Sequence, residues 1–160
     1  LAEVVRSVLA EMDSLSRQES VHIQVEHRID EGLTVSGERE KLRSMVSNLV
    51  KNAVEASSSG DTVTILLDRG SQSANRHSHV ANRGEQDVGR TVVLSIHNTG
   101  MIPEEIRDRF FERYVTHGKE QGTGLGTYSA RLIARAHGGD ISFSTAEANG
   151  TVITVSLPAG

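Results

Sequence analysis

Apolar residues recur along the chain with two different periods. Leu1, Val5, Val8, Met12 and Leu15 return at helical spacing and predict an amphipathic helix to about Arg17. Val21, Ile23 and Val25 then alternate with His22, Gln24 and Glu26, which predicts a half-buried strand over Val21 to Ile29. A short extended piece follows around Leu33 to Val35. The helical period resumes from Glu38 to about Ser57, with Leu42, Val46, Leu49 and Ala53 as its core stripe and Ser57-Ser58-Ser59-Gly60 as its stop. Thr62 to Asp68 and Thr91 to Asn98 are rich in β-formers and predict two sheet strands. Pro103-Glu104-Glu105 opens a short helix. A third long helix runs from about Leu125 to His137, halted by Gly138-Gly139. Ile141 to Ala146 and Thr151 to Leu157, joined at Asn149-Gly150, form a closing hairpin. Two polar stretches punctuate the pattern: residues 70–89, read as a long flexible hairpin insertion, and the loop 113–123.

Helices and strands alternating irregularly, with at least two hairpins, predict an α/β (α+β) sandwich. Its mixed, mostly antiparallel sheet is covered by three main helices on one face. At 160 residues the chain makes one domain with a respectable core. A net charge of −4 with both signs dispersed leaves no nucleic-acid or anionic-membrane footprint. No cysteine is present, which excludes disulfides and thiolate metal sites. No apolar run reaches membrane-spanning length. Opening in amphipathic sequence without Met suggests a piece of a longer protein.

Candidate chemistry concentrates in two places. In Gln121-Gly122-Thr123-Gly124-Leu125-Gly126-Thr127, glycines alternate just ahead of a helix. Such a loop is either a plain turn or a cradle where backbone N–H groups and the helix dipole meet a phosphate. On the second helix, Asn48, Asn52 and Glu55 form a polar stripe at i, i+4 and i+7 beside the core stripe. Two amides at such positions are either hydrogen-bonded within the protein or line a pocket, where an amide oxygen can join a hard cation's shell. His77 and His79 lack a third His, Cys or acid nearby and make a poor metal set.

These segments carry a resemblance. Asn48 to Ala56 resembles the N box of sensor histidine kinases, and Ser95 to Pro103 their first glycine box. Phe110-Phe111-Glu112-Arg113-Tyr114 looks like the F box, Gly122 to Gly126 like the second glycine box. Gly150-Thr151 ahead of Leu157-Pro158 matches the terminal hairpin. Five boxes in family order cover nearly the whole chain, which thus resembles the catalytic, ATP-binding (HATPase_c) domain of a two-component histidine kinase, with the Bergerat fold. The resemblance implies Mg-ATP as ligand. Asn52 would coordinate Mg²⁺ with the nucleotide phosphates, Asn48 would lie beside it near the phosphates, Glu55 would be among the ATP-binding residues, and Asn98 would meet the adenine amine. Gly100 would leave room for the base, Ile102 would pack near it, and Thr151 would be among the ATP-binding residues. Phe111 and Tyr114 would anchor the lid 113–123, within which Lys119 is the candidate phosphate contact. The backbone of Gly122, Thr123, Gly124, Leu125 and Gly126 would cradle the phosphates.

The implied partners are ATP and ADP, a histidine-bearing dimerisation domain upstream of Leu1 in a homodimeric parent, and a response regulator. Neither nucleic acid nor direct membrane contact is implied. The location implied is cytoplasmic, with a parent possible in the inner membrane. None of the seven histidines sits in the family's acceptor pattern, so the chain alone should not phosphorylate itself. The hydrolytic relatives generally carry a general-base Glu where Asn48 stands, and an amide cannot serve as that base, so ATPase turnover should be insubstantial. Two departures stand out. Asn98 replaces the usual Asp, predicting weaker binding and softer adenine selectivity, because an amide both accepts and donates. The first glycine box is also one residue short, with Met101-Ile102 in place of the Gly that precedes Ile-Pro. A degenerate nucleotide-sensing or interaction module without phosphotransfer is the alternative reading.

Overall fold

A computed structural model describes residues 1–28, 34–70, 91–116 and 123–160. Its elements are α1 (Ala2–Gln18), β1 (His22–Arg28), α2 (Arg39–Glu55), β2 (Thr62–Arg69), β3 (Thr91–Asn98), α3 (Glu104–Arg107), α4 (Gly126–Ala136), β4 (Asp140–Ala146) and β5 (Gly150–Pro158). Ile29, Leu33, most of the 70–89 insertion with His77 and His79, and positions 117–122 of the lid, Lys119 and Gly122 included, lie outside the described residues.

The five strands form one mixed sheet in the order β1-β2-β3-β5-β4. β1 and β2 are parallel, with α2 as their crossover, and every other pair is antiparallel. Alternation decides which face is covered. Val63, Ile65 and Leu67 of β2, Val92, Leu94 and Ile96 of β3, and Ile153, Val155 and Leu157 of β5 are buried, whereas their neighbours Thr64, Ser95 and Thr154 lie on the other, more open face.

α1, α2 and α4 supply the covering layer, with α2 between the other two. That central place widens its apolar surface beyond the expected stripe. Met45, Val50 and Val54 are as fully buried as Val46 and Leu49, because a helix packed on both sides and beneath keeps little outer face.

Several boundaries differ from the periodic reading. Val21 is buried but precedes the first strand, and Thr34 and Val35 form no strand; the Thr34 carbonyl accepts the Gly160 N–H at 2.8 Å instead. α2 stops at Glu55 rather than Ser57, where the Ser57 hydroxyl donates to the Ala53 carbonyl at 2.8 Å and competes with the helical pattern. Leu125 and His137 cap α4 rather than belonging to it. Pro103 sits one residue ahead of α3, in extended conformation. The hairpin turn is as expected, with Gly150 at φ +66° where a Cβ would fall 2.1 Å from the Asn98 carbonyl oxygen.

Candidate functional site

The C-terminal half of α2, the end of β3 and the start of α4 converge on a cavity of about 750 Å³. From α2 come Asn48, Asn52 and Glu55. The two asparagines are half-buried, and neither side chain has a hydrogen-bond partner among the described residues. These two amides therefore keep their hydrogen-bonding capacity for whatever enters the cavity. Glu55 lies 3.7 Å from Lys51, a cavity-lining cation that the sequence pattern did not single out.

Opposite these amides stands the N-terminus of α4. Thr123, Gly124, Leu125 and Gly126 line the cavity, and a Cβ on Gly126 would sit 3.4 Å from the Asn52 amide nitrogen. α4 has neither a side-chain cap nor an acidic residue in its first turn. Its first N–H groups therefore retain their capacity to meet an anion.

The base of the lid is fastened from both sides. Phe110, Phe111 and Phe143 stack with centroids 5.1 to 5.8 Å apart, and the Thr127 hydroxyl donates to the Phe110 carbonyl at 2.8 Å. The Tyr114 N–H donates to the Gly124 carbonyl at 2.9 Å, which brings the two ends of the lid together. Gly124 has φ +63°, and a Cβ there would lie 2.5 Å from the Tyr114 carbonyl carbon. Tyr114 itself adopts φ +63°, an uncommon conformation for a residue with a side chain. Its ring is 73% exposed and lines no part of the cavity, so its backbone does the anchoring expected of its side chain. Phe111 anchors from within the aromatic cluster and likewise stays out of the cavity. Phe110, the first residue of the F-box run, lines the wall instead, together with Ile106 and Val115, which carried no motif signal of their own.

At the other end, β3 delivers Asn98 into the cavity, 4% exposed. The loop after it follows a tight path. A Cβ on Gly100 would fall 2.1 Å from the Ala56 carbonyl oxygen at the end of α2, so only glycine fits. The Gly100 carbonyl accepts from the Asn98 amide nitrogen at 3.3 Å and from the Thr151 hydroxyl at 2.8 Å. The Thr151 and Thr145 hydroxyls are 2.9 Å apart, and the Ile102 N–H donates to Thr145 at 3.1 Å. Thr99 donates its hydroxyl to Asp61, which also accepts the Ser58 N–H; these two bonds, the hydroxyl first, hold the Asp61 carboxyl below its ordinary range.

Of the residues singled out from sequence, Asn48, Asn52, Glu55, Asn98, Gly100, Ile102, Thr151 and the backbone of 123–126 thus share one cavity. Two described histidines have local duties instead. His97 Nε2 pairs with the Asn149 carbonyl at 2.8 Å, and His137 bridges the Ile133 carbonyl and the Glu38 N–H.

Comparison with known proteins agrees with this geometry. Residues 37–160 match the family described as histidine kinase-, DNA gyrase B-, and HSP90-like ATPase. The chain is 28% identical to the sensor protein DegM of Bacillus sp. (strain B21-2) over 99% of its length, and 27% identical to the sensor histidine kinase WalK of Bacillus subtilis (strain 168) over 98%. It spans 37% and 24% of those proteins. Among solved structures, the nucleotide-free catalytic domain of the histidine kinase ThkA superposes with a TM-score of 0.75 at 28% identity, covering 99% of this chain and 91% of that one. The chain belongs to the histidine kinase-, DNA gyrase B-, and HSP90-like ATPase family, as a catalytic ATP-binding domain of the sensor histidine kinase kind.

Proposed function

We propose that this domain binds Mg-ATP in the α2–β3–α4 cavity and presents the γ-phosphoryl group to a histidine on a separate dimerisation domain of the same cytoplasmic or membrane-anchored parent. A response regulator would then receive it. The observation that carries the reading is the pair of unspent, half-buried amides on α2 facing the uncapped N-terminus of α4. Neutral amide oxygens suit a hard divalent cation, and free N–H groups suit phosphate oxygens. Asn52, nearest Gly126, would hold Mg²⁺ jointly with the phosphates, with Asn48 and Glu55 beside it. The ion, when bound, neutralises charge on the polyphosphate.

The chain's own residues do the rest. Asn98 and the Gly100 loop orient the base, with Ile102 and Thr151 near it. The 123–126 backbone aligns the phosphates, and Lys119 of the lid contacts them. This is catalysis by positioning and charge stabilisation, with the nucleophile, the acceptor histidine, supplied by the dimerisation domain. Asn48 has no carboxylate with which to activate water, so solvent hydrolysis stays slow. The ThkA kinase has been solved in complex with the response regulator protein TrrA, which supports the downstream partner class.

The test supplies the parent's upstream histidine domain together with γ-labelled ATP. Label on an upstream histidine is expected, with none on the isolated chain. Tight Mg-ATP binding without any transfer would assign the domain to nucleotide sensing instead. Steady hydrolysis abolished by Asn48→Ala would overturn the role given to Asn48.

A further inference from the structure

The two departures at the base end, Asn98 for the usual Asp and a box one residue short, meet in a single hydrogen-bond chain. Hydrogens can be placed in it by elimination. A carbonyl oxygen only accepts, so the Thr151 hydroxyl spends its one proton on Gly100. Thr151 must then accept from Thr145, whose hydroxyl oxygen in turn accepts the Ile102 N–H. The order is Ile102 N–H to Thr145, Thr145 to Thr151, and Thr151 to the Gly100 carbonyl. Two hydroxyls therefore brace the carbonyl before Met101 and the N–H after it, at the residue where the box is short.

The same elimination orients Asn98. The atom that faces the Gly100 carbonyl at 3.3 Å must be a donor, so it is the amide nitrogen. The amide oxygen is left without a partner among the described residues, in a cavity-lining side chain. Sequence alone leaves this amide free to flip; the braced carbonyl removes that freedom.

We propose that Asn98 and the shortened loop form a matched specificity device. The Gly100 carbonyl, held by the Thr145–Thr151 hydroxyl pair, takes an amide N–H of Asn98 and turns its oxygen to the cavity as the acceptor for an adenine amino group. Thr145 is a positioning residue, acting on the base only through Thr151 and Gly100. Asp at position 98 is no restoration in this loop, because a carboxylate would set one acceptor against another and lose the bond to Gly100. Guanine, with a carbonyl in place of the amino group, meets the same acceptor and is disfavoured. The inference rests on the nucleotide-site reading above.

Calorimetric titration of the 160-residue chain with Mg-ATP and Mg-GTP tests it, each variant checked by thermal melting. The unaltered chain is expected to bind ATP at least about tenfold more tightly than GTP, as a lost and mismatched hydrogen bond commonly produces. Asn98→Asp is expected to weaken ATP about tenfold, by leaving two acceptors opposed. Thr145→Val is expected to weaken ATP about threefold to tenfold and to narrow the ATP-to-GTP ratio, while Thr145→Ser keeps both near the starting values. Equal affinity for ATP and GTP in the unaltered chain would overturn the proposal, as would tighter ATP binding by Asn98→Asp. If Asn98→Asp does not fold, the Thr145 pair decides: a folded Thr145→Val with unchanged affinity and ratio refutes it. Failure of the unaltered chain to bind either nucleotide would instead overturn the nucleotide-site reading, and this inference with it.

Discussion

The two ends of the cavity are built on opposite principles. At the β3 end, which the proposed reading gives to the base, most polar groups are spent inside the protein: Asn98, Gly100, Ile102, Thr145 and Thr151 share one network, and Thr99 is tied to Asp61. At the α4 end, which the same reading gives to the phosphates, the polar groups are held back. Asn48 and Asn52 bond to no described residue, and α4 begins without a side-chain cap. The base end is thus preorganised, whereas the phosphate end is completed by what enters it. Preorganisation reduces the ordering that binding must supply, and it suits recognition of a flat, neutral base. Unspent donors and acceptors suit a polyphosphate and cation, whose own charges supply the missing partners.

This contrast can be broken experimentally, beginning where the effect should be greatest. Asn52→Ala is expected to lower phosphotransfer by at least about 100-fold, because losing even an outer-shell partner of a metal commonly costs about 10- to 100-fold, while metal-free ATP binding changes little. Transfer assays with γ-labelled ATP and calorimetry with and without Mg²⁺ check both parts; an equal loss in metal-free binding would show that Asn52 serves the nucleotide directly. Gly100→Ala drives a Cβ to 2.1 Å from the Ala56 carbonyl oxygen. It should destabilise the domain by about 2 kcal/mol and weaken ATP, as overpacking does. Chemical denaturation measures the first effect, and an unaltered midpoint would mean that the loop is less rigid than its network implies.

Gly126→Ala offers the matching perturbation at the phosphate end. Its Cβ would meet the Asn52 amide at an ordinary 3.4 Å, so stability should change by less than about 1 kcal/mol, with any change in ATP affinity readable in the same titrations. The smallest effect concerns pH. The Asp61 carboxyl is held below the ordinary range by the Thr99 hydroxyl and then the Ser58 N–H. A lowered folded pKa stabilises above the ordinary carboxylate range and loses that contribution as pH falls through the folded value. Asp61→Asn should flatten the acid limb of a stability-versus-pH curve without moving its neutral plateau greatly.

Much of this architecture was legible from periodicity. α1, α2 and α4 end within two residues of where the periodicity put them, because each turns an apolar stripe to the core. Legibility was poorer where position depends on a distant residue. Tyr114 has the composition of an anchor but points outward, since its backbone, through Gly124, makes the contact. Met45, Val50 and Val54 exceeded the expected stripe because burial on the flanks of α2 is conferred by α1 and α4. Thr145 gave no signal at all. It is an ordinary strand threonine until the β4–β5 register places it opposite Thr151.

What the sequence determined by itself is the set of groups available and their local order: amides at helical spacing, glycines before a helix, an Asn where an acid is usual. Those follow from short-range geometry, which a few residues specify. Only the tertiary structure decided which groups would be spent on one another. The Asn98 amide has its nitrogen on Gly100, in a loop braced from β4 and β5, because the folded sheet brings five residues, up to 53 positions apart along the chain, within hydrogen-bond reach. Asn48 and Asn52 stay unspent because that same folding gives them no partner among the described residues.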